Sequence, residues 1–169
     1  PVERSFLDSE VAVWEEADLV HDVYRPSLFG APLFTAPETD AHRQRSIIDY
    51  SRGLNKVLLP INFPQPTIQQ LLDSSHGAMF YSLADAKGGY RQMRIDHRDQ
   101  HLLIFRLGDR LLQPSRLMEG VATGCCQFQA AMSDMHQDQL RDGALKIYLD
   151  DFFVATATVE EHLRQLEIF

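Results

Sequence analysis

The sequence predicts an α+β fold, with helices packed on antiparallel sheet, and three observations carry that prediction. Segments with helical and strand-like patterning follow in the order helix, hairpin, helix, strands, helix, hairpin, helix. Two of the strand-forming runs double back over short polar bends, at Gly108-Asp109 and at Asp150-Asp151, as antiparallel pairing permits. With 169 residues and 44% apolar side chains, the chain is large enough for one domain with its own core.

Taken in order, Asp8 and Ser9 are candidate N-caps for a helix reaching about Val23, with Val13, Ala17 and Val20 on its apolar stripe. Arg25-Pro26-Ser27 ends it, and Pro and Gly punctuate the chain as far as Pro37. Residues 33–35 and 44–48 read as the two arms of a hairpin whose polar tip is residues 38–41. Residues 58–66 carry Pro60, Pro64 and Pro66 and form an extended connector. Thr67-Ile68-Gln69-Gln70 is a capping-box pattern that opens a short helix bearing Leu71 and Leu72. Residues 79–83 read as a buried strand ending at Asp85, and residues 90–95 alternate like a second strand. Residues 101–107 and 110–113 flank the Gly108-Asp109 bend. From 124 to 140, Phe128, Ala131, Met132 and Met135 fall at helical spacing, with Gly143 just beyond the end. Residues 146–154 form a second hairpin, and a last helix runs from 160 to 169.

No apolar run approaches the roughly eighteen residues of a membrane span, and no N-terminal stretch reads as a signal peptide, so no membrane partner and an intracellular location are expected. From Pro1 in place of Met, the chain is expected to be part of a longer polypeptide. Cys125 and Cys126 are neighbours, without the spacing of a disulfide framework or a zinc site, and read as packing residues. His97, His101 and His136 read as structural or surface residues. The formal net charge of −8 runs against the basic footprint of a nucleic-acid binder.

The chemistry centres on carboxylates. In Lys146-Ile147-Tyr148-Leu149-Asp150-Asp151-Phe152-Phe153-Val154, two adjacent acids sit between strand formers. Adjacent carboxylates repel each other and resist burial beside phenylalanines, costs that a hard divalent cation relieves. Taken alone, the pair is equally a polar hairpin tip. Asp85, at the end of the strand Phe80-Tyr81-Ser82-Leu83-Ala84, is a third acid that can complete a metal cluster, or by itself a turn residue. Gly88 and Gly89 after it allow backbone N–H groups to approach phosphates closely.

These blocks together resemble the fingers and palm of a reverse transcriptase, closest to those of gypsy-type long-terminal-repeat retrotransposons. Arg25-Pro26-Ser27, Ile48-Asp49-Tyr50 with Leu54-Asn55, the run from Leu83 through Asp85 and Tyr90 to Gln92, Phe128-Gln129 with Met132, Tyr148-Leu149-Asp150-Asp151 and Glu161-His162-Leu163 stand in the family's order. The resemblance implies an RNA-directed DNA polymerase of a retroelement polyprotein, in a cytoplasmic particle or the nucleus. A segment 1–24 would precede a fingers-like portion at 25–82 and a palm at 83–169. Asp85, Asp150 and Asp151 would be catalytic and bind two Mg²⁺ ions, with Mn²⁺ as an alternative. Arg45, Ala86, Gly88, Gly89, Tyr90 and Glu119 would stand at the incoming deoxynucleotide, with Tyr90 as a steric gate against a 2′-hydroxyl. Tyr148 and Leu149 would touch primer and template. Partners would be an RNA or DNA template with its primer, deoxynucleoside triphosphates, and the thumb and RNase H parts of the polyprotein.

The chain also departs from the family. Met118-Glu119-Gly120 puts a carboxylate where the family has a neutral side chain. Thr123-Gly124-Cys125 loses a proline turn. Residues 36–40 replace a lysine-rich fingers tip, leaving Arg43 and Arg45 as the nearby cations. The family's primer grip and thumb are not in the sequence, so the isolated fragment is expected to be inactive. These departures frame a second expectation, a catalytically inactive retroelement-derived domain kept for assembly or protein binding. A nuclease or other two-metal phosphotransferase is a weaker third, because Tyr90 and the block order fit polymerases better.

Overall fold

The computed structural model describes residues 2–37 and 44–167. Its elements are α1 (Val2–Glu16), β1 (Val20–Asp22), β2 (Ala31–Pro37), β3 (Gln44–Ile48), α2 (Ile68–Asp73), β4 (Phe80–Asp85), α3 (Gly89–Gln92), β5 (Phe105–Leu107), β6 (Arg110–Pro114), α4 (Gly124–Met135), α5 (Gln137–Asp142), β7 (Leu145–Tyr148), β8 (Asp151–Thr156) and α6 (Val159–Leu166). The fold is α+β, as expected. The chain forms two compact units, one of residues 1–60 and 90–124, the other of residues 61–89 and 125–169. The chain leaves the first unit near residue 60 and returns to it near residue 90.

The first unit holds a five-stranded sheet in the order β1-β6-β5-β2-β3, antiparallel except where β2 runs parallel to β5. The expected hairpin is β2 with β3, paired from Leu33↔Ile48 to Pro37↔Gln44. Its tip, and Arg43 with it, lies outside the described residues. Residue pairs Phe105↔Leu112 and Leu107↔Arg110 bracket the Gly108 turn, where φ is +62°. The core gathers Leu7, Val11 and Trp14 of α1 against Val20, Leu33, Ile48, Tyr50, Phe105 and Leu112. Tyr50 is 1% exposed and donates its hydroxyl to the Leu103 carbonyl at 2.7 Å, and burial pushes its phenol well above the usual range.

Several local expectations are corrected here. The first helix starts and ends earlier than residues 8–23, and its buried stripe is Leu7-Val11-Trp14, while Val13 is exposed. These three fall four and three residues apart, the spacing of one helical face. Asp18 then takes a left-handed φ of +55° and turns the chain into β1, which pairs with β6 from Val20↔Pro114. Residues 90–95 are not a strand. The chain makes the helical turn α3, and Arg94 keeps only an isolated bridge to Arg116. Before Phe105, residues Gln100–Leu103 form a 3-10 turn rather than strand.

The second unit holds the sheet β4-β8-β7, wholly antiparallel. The capping box is present: the Thr67 side chain accepts from the Gln70 N–H and the Gln70 side chain accepts from the Thr67 N–H. The helix expected over 124–140 is two helices broken at His136, and Gly143 closes the second in a left-handed conformation with φ +79°. Phe128, Met132, Leu145, Ile147, Phe152 and Val154 are buried. Strand β4 was expected to be buried and is not: Tyr81 is 54% and Leu83 70% exposed. It lies at the sheet edge, so only one long side is paired. α6 reaches it through His162, whose Nε2 lies 2.8 Å from Ser82 Oγ and whose Nδ1 lies 3.0 Å from Thr156 Oγ1.

Candidate active site

Two of the three acids meet through strand register. β4 and β8 pair from Phe80↔Thr156 to Asp85↔Asp151, so the last residue of one strand stands directly across from the first residue of the other. Opposite residues share a face of the sheet and have Cβ atoms roughly 5 Å apart. Tyr148, paired with Asp151 across β7, shares that face. Asp150 sits in the two-residue turn between β7 and β8, and its carbonyl accepts the Ala86 N–H at 2.8 Å. That bond fixes the segment after Asp85 to the turn that carries Asp150.

The turn is held from beneath. Leu149 has φ +55°, a left-handed conformation that costs an L-residue about 1–2 kcal/mol. Gln129 of α4, 2% exposed, accepts the Leu149 N–H through Oε1 at 2.7 Å and donates Nε2 to the Ile147 carbonyl at 3.2 Å. A buried amide with both ends used in this way stabilises a bend that Leu149 alone would not favour. Sequence reading placed Gln129 in a family block without giving it this task. A long polar side chain on an otherwise apolar helical stripe was the available signal.

The residues after Asp85 differ in what they do. Gly88 takes φ +60° with open space where a Cβ would be, so its need is conformational. Gly89 is a packing glycine: an added Cβ would lie 2.9 Å from Phe128 Cζ and 3.4 Å from Asp150 Cβ. The close approach made here is to Phe128. Tyr90 is half-buried and begins the chain's return to the first unit.

The three carboxylates offer hard oxygen donors suited to a divalent cation. Among the described residues, no three His, Cys, Asp or Glu side chains form a ready cage for a metal ion. The donor set still fits Mg²⁺, which is commonly held by one or two carboxylates with water and substrate phosphates completing its shell.

The other expected site residues lie in the first unit. Arg45 and Glu119 line one cavity of about 470 Å³ together with Phe6, Glu10, Arg91 and Gly120. The position of Glu119 is tightly determined. Gly120 has φ +104°, and a Cβ there would come within 2.4 Å of the Ile48 carbonyl oxygen. Asn55 donates Nδ2 to the Gly120 carbonyl at 2.8 Å and accepts the Ala122 N–H at 2.9 Å. The block Ile48-Asp49-Tyr50 with Leu54-Asn55 thus builds the wall that carries Glu119. Arg91, which sequence reading did not single out, pairs with Glu119 at 3.4 Å.

Comparison with known proteins bears on the family and the fold. Residues 37–169 match the family model for reverse transcriptase (RNA-dependent DNA polymerase). The chain is similar to the retrovirus-related Pol polyprotein from transposon gypsy of Drosophila melanogaster, 26% identical over an alignment of 152 residues, with 86% of this chain and 14% of that protein covered. It is 28% identical to the Pol polyprotein from transposon 412 of the same organism, over 86% of this chain and 12% of that protein. The Tf2-3 transposon polyprotein of Schizosaccharomyces pombe is 26% identical, over 80% of this chain and 10% of its own length. The chain therefore spans a small part of these relatives. Among solved structures, a foamy viral protease-reverse transcriptase in complex with double-stranded DNA superposes with a TM-score of 0.78 at 20% identity, covering 98% of this chain and 28% of that one. The native prototype foamy virus protease-reverse transcriptase gives 0.76 at 21% identity, covering 93% and 20%. No helix among the described residues is long and apolar enough to cross a membrane. With a polymerase-family model matched over most of its length, and the same fold in viral enzymes, the chain belongs to the reverse transcriptase family.

Proposed function

We propose that this chain is the nucleotidyl-transfer part of an RNA-directed DNA polymerase within a retroelement polyprotein. It would extend a primer 3′-hydroxyl with deoxynucleotides on an RNA or DNA template. The observation that carries the reading is the in-register pair Asp85↔Asp151, with Asp150 in the adjoining turn tied to Ala86. Asp85, Asp150 and Asp151 are the residues that would hold magnesium or manganese, two ions in this reading. When bound, the cations supply Lewis-acid activation of the primer hydroxyl and neutralise charge on the leaving pyrophosphate.

The chain's own residues would do the positioning. Arg45 presents a planar guanidinium suited to phosphate oxygens. The Tyr90 ring would lie beneath the sugar and exclude a 2′-hydroxyl. The Gly88 backbone, with no Cβ to obstruct it, would admit the triphosphate, with Ala86 and Gly89 supporting that segment. Tyr148 and Leu149 would meet the primer terminus, where the Gln129 clamp on the turn keeps Leu149 in place. Thumb and RNase H parts of the polyprotein would supply the grip on the duplex.

The test is Mg²⁺- or Mn²⁺-dependent extension of oligo(dT) on poly(rA) by the longest natural polypeptide that contains this chain. Replacement of both acids, Asp150→Asn with Asp151→Asn, is expected to lower extension by about 10³-fold. A second reading is a non-enzymatic retroelement-derived domain, favoured by the net charge of −8 and by the carboxylate of Glu119. A folded parent that neither extends primers nor binds divalent cations would decide for that second reading.

A further inference from the structure

We infer that Arg91 is a positioning residue: held between Trp14 and Glu119, it neutralises the Glu119 carboxylate so that the cavity carrying Arg45 admits a nucleoside triphosphate. The identity of the anion rests on the polymerase reading, and the rest stands on the geometry of the first unit.

The cavity is lined by two carboxylates, Glu10 and Glu119, and by two guanidinium groups, Arg45 and Arg91. Its described charges balance only while Arg91 is present. Glu119 is kept at the cavity wall by its neighbour Gly120, which no other residue can replace without meeting the Ile48 carbonyl. A bare carboxylate fixed there would repel any phosphate that Arg45 attracts.

Arg91 is unusually well placed to prevent this. Its guanidinium carbon lies 5.0 Å from the centre of the Trp14 ring, within cation–π range. Trp14 is 2% exposed and meets Phe105 edge-on, with centroids 6.1 Å apart and planes at 78°. The platform is therefore part of the core. The Nε of Arg91 is buried and has no hydrogen-bond partner among the described residues, whereas Nη2 reaches both Glu119 oxygens at 3.4 and 3.5 Å. Those distances are long for hydrogen bonds, so the contact acts mainly as charge neutralisation. Trp14 belongs to α1, which precedes the family match at residues 37–169. The N-terminal helix thereby acquires a task in the site.

The test is equilibrium dialysis of radiolabelled dTTP against the whole chain, with Trp14 emission, from the single tryptophan, as a check that each variant folds. Arg91→Met keeps the stem that packs on Trp14 and is expected to weaken binding about tenfold. Arg91→Lys keeps the charge and should stay close to wild type. In the Glu119→Gln background the Arg91→Met loss should shrink to within about twofold, because no carboxylate is left to neutralise. An undiminished loss in that background would overturn the inference, since Arg91 would then act on the phosphates itself or only through packing. Failure of the unmodified chain to bind dTTP would also overturn it. The rescue pattern without primer extension by the parent would sink the polymerase reading and leave this inference standing. Extension without the rescue would do the reverse.

Discussion

The two compact units solve the problem of placing polar groups in opposite ways. The first surrounds its sheet with buried apolar residues and then fixes one exposed carboxylate, Glu119, through Gly120, Asn55 and Arg91. The second buries one face of a three-stranded sheet and leaves large apolar side chains open, with Leu83 70%, Tyr81 54% and Leu72 59% exposed. Its acids stand at the end of that sheet, placed by backbone register and a buried glutamine rather than by side-chain pairing. Where a charge is set by side chains, a single substitution can change its electrostatics and leave the fold intact. Where it is set by register, geometry and stability change together.

The largest expected effect falls on the first unit. Gly120→Ala places a Cβ 2.4 Å from the Ile48 oxygen at φ +104° and is expected to destabilise this unit by about 2–4 kcal/mol. Urea unfolding followed by Trp14 fluorescence reads it, and a cost under about 0.5 kcal/mol would show that the wall bearing Glu119 yields easily. In the second unit, Gln129→Leu removes both bonds to the hairpin and leaves the Leu149 N–H and Ile147 carbonyl with one partner fewer. A cost of about 2 kcal/mol is expected, with faster amide exchange at Leu149. Unchanged exchange there would mean that strand register alone holds the turn.

Smaller effects sharpen the same contrast. Lys146 is 9% exposed, donates Nζ to the Gly143 carbonyl at 2.8 Å, and has its ammonium pKa pushed down by burial. Its charged form therefore opposes folding below the lowered pKa, and the penalty disappears as pH rises through the range where an unfolded lysine titrates. Lys146→Met should accordingly stabilise the second unit by about 1 kcal/mol at neutral pH, with a gain that shrinks in alkali. Thermal unfolding across pH measures this, and a destabilised variant would show that the Gly143 bond outweighs burial. In the first unit, hydrogen bonds from the Arg98 side chain and backbone hold the exposed Asp96 carboxyl at about 2. Its contribution is present above the unfolded carboxyl range and is lost as pH falls through about 2. Arg98→Ala should raise the Asp96 pKa toward an ordinary value in an NMR titration, with only a slight change in the unfolding midpoint.

Much of this was written locally in the chain. The capping box at Thr67, the turn at Gly108 and the helix-ending Gly143 depend on near neighbours and stand where the residues predict them, while the bend expected at Asp150-Asp151 falls one residue earlier, at Leu149-Asp150. The order of motif blocks identified the family for the same reason. Expectations failed where several local patterns competed. Val13, Ala17 and Val20 offered a helical stripe as plausible as Leu7, Val11 and Trp14, and only packing against Phe105 and Leu112 selected the latter. Residues 90–95 alternate like a strand but, among the described residues, have no partner strand beyond the bridge at Arg94.

The sequence by itself determined the α+β class and the bend at Gly108-Asp109, because those follow from backbone preference and the order of the segments. Tertiary structure alone decided that Asp85 faces Asp151, that Gln129 holds Leu149, and that Glu119 meets Arg91 over Trp14. Each of these joins residues distant in sequence, and register and burial, which bring them together, are properties of the folded chain.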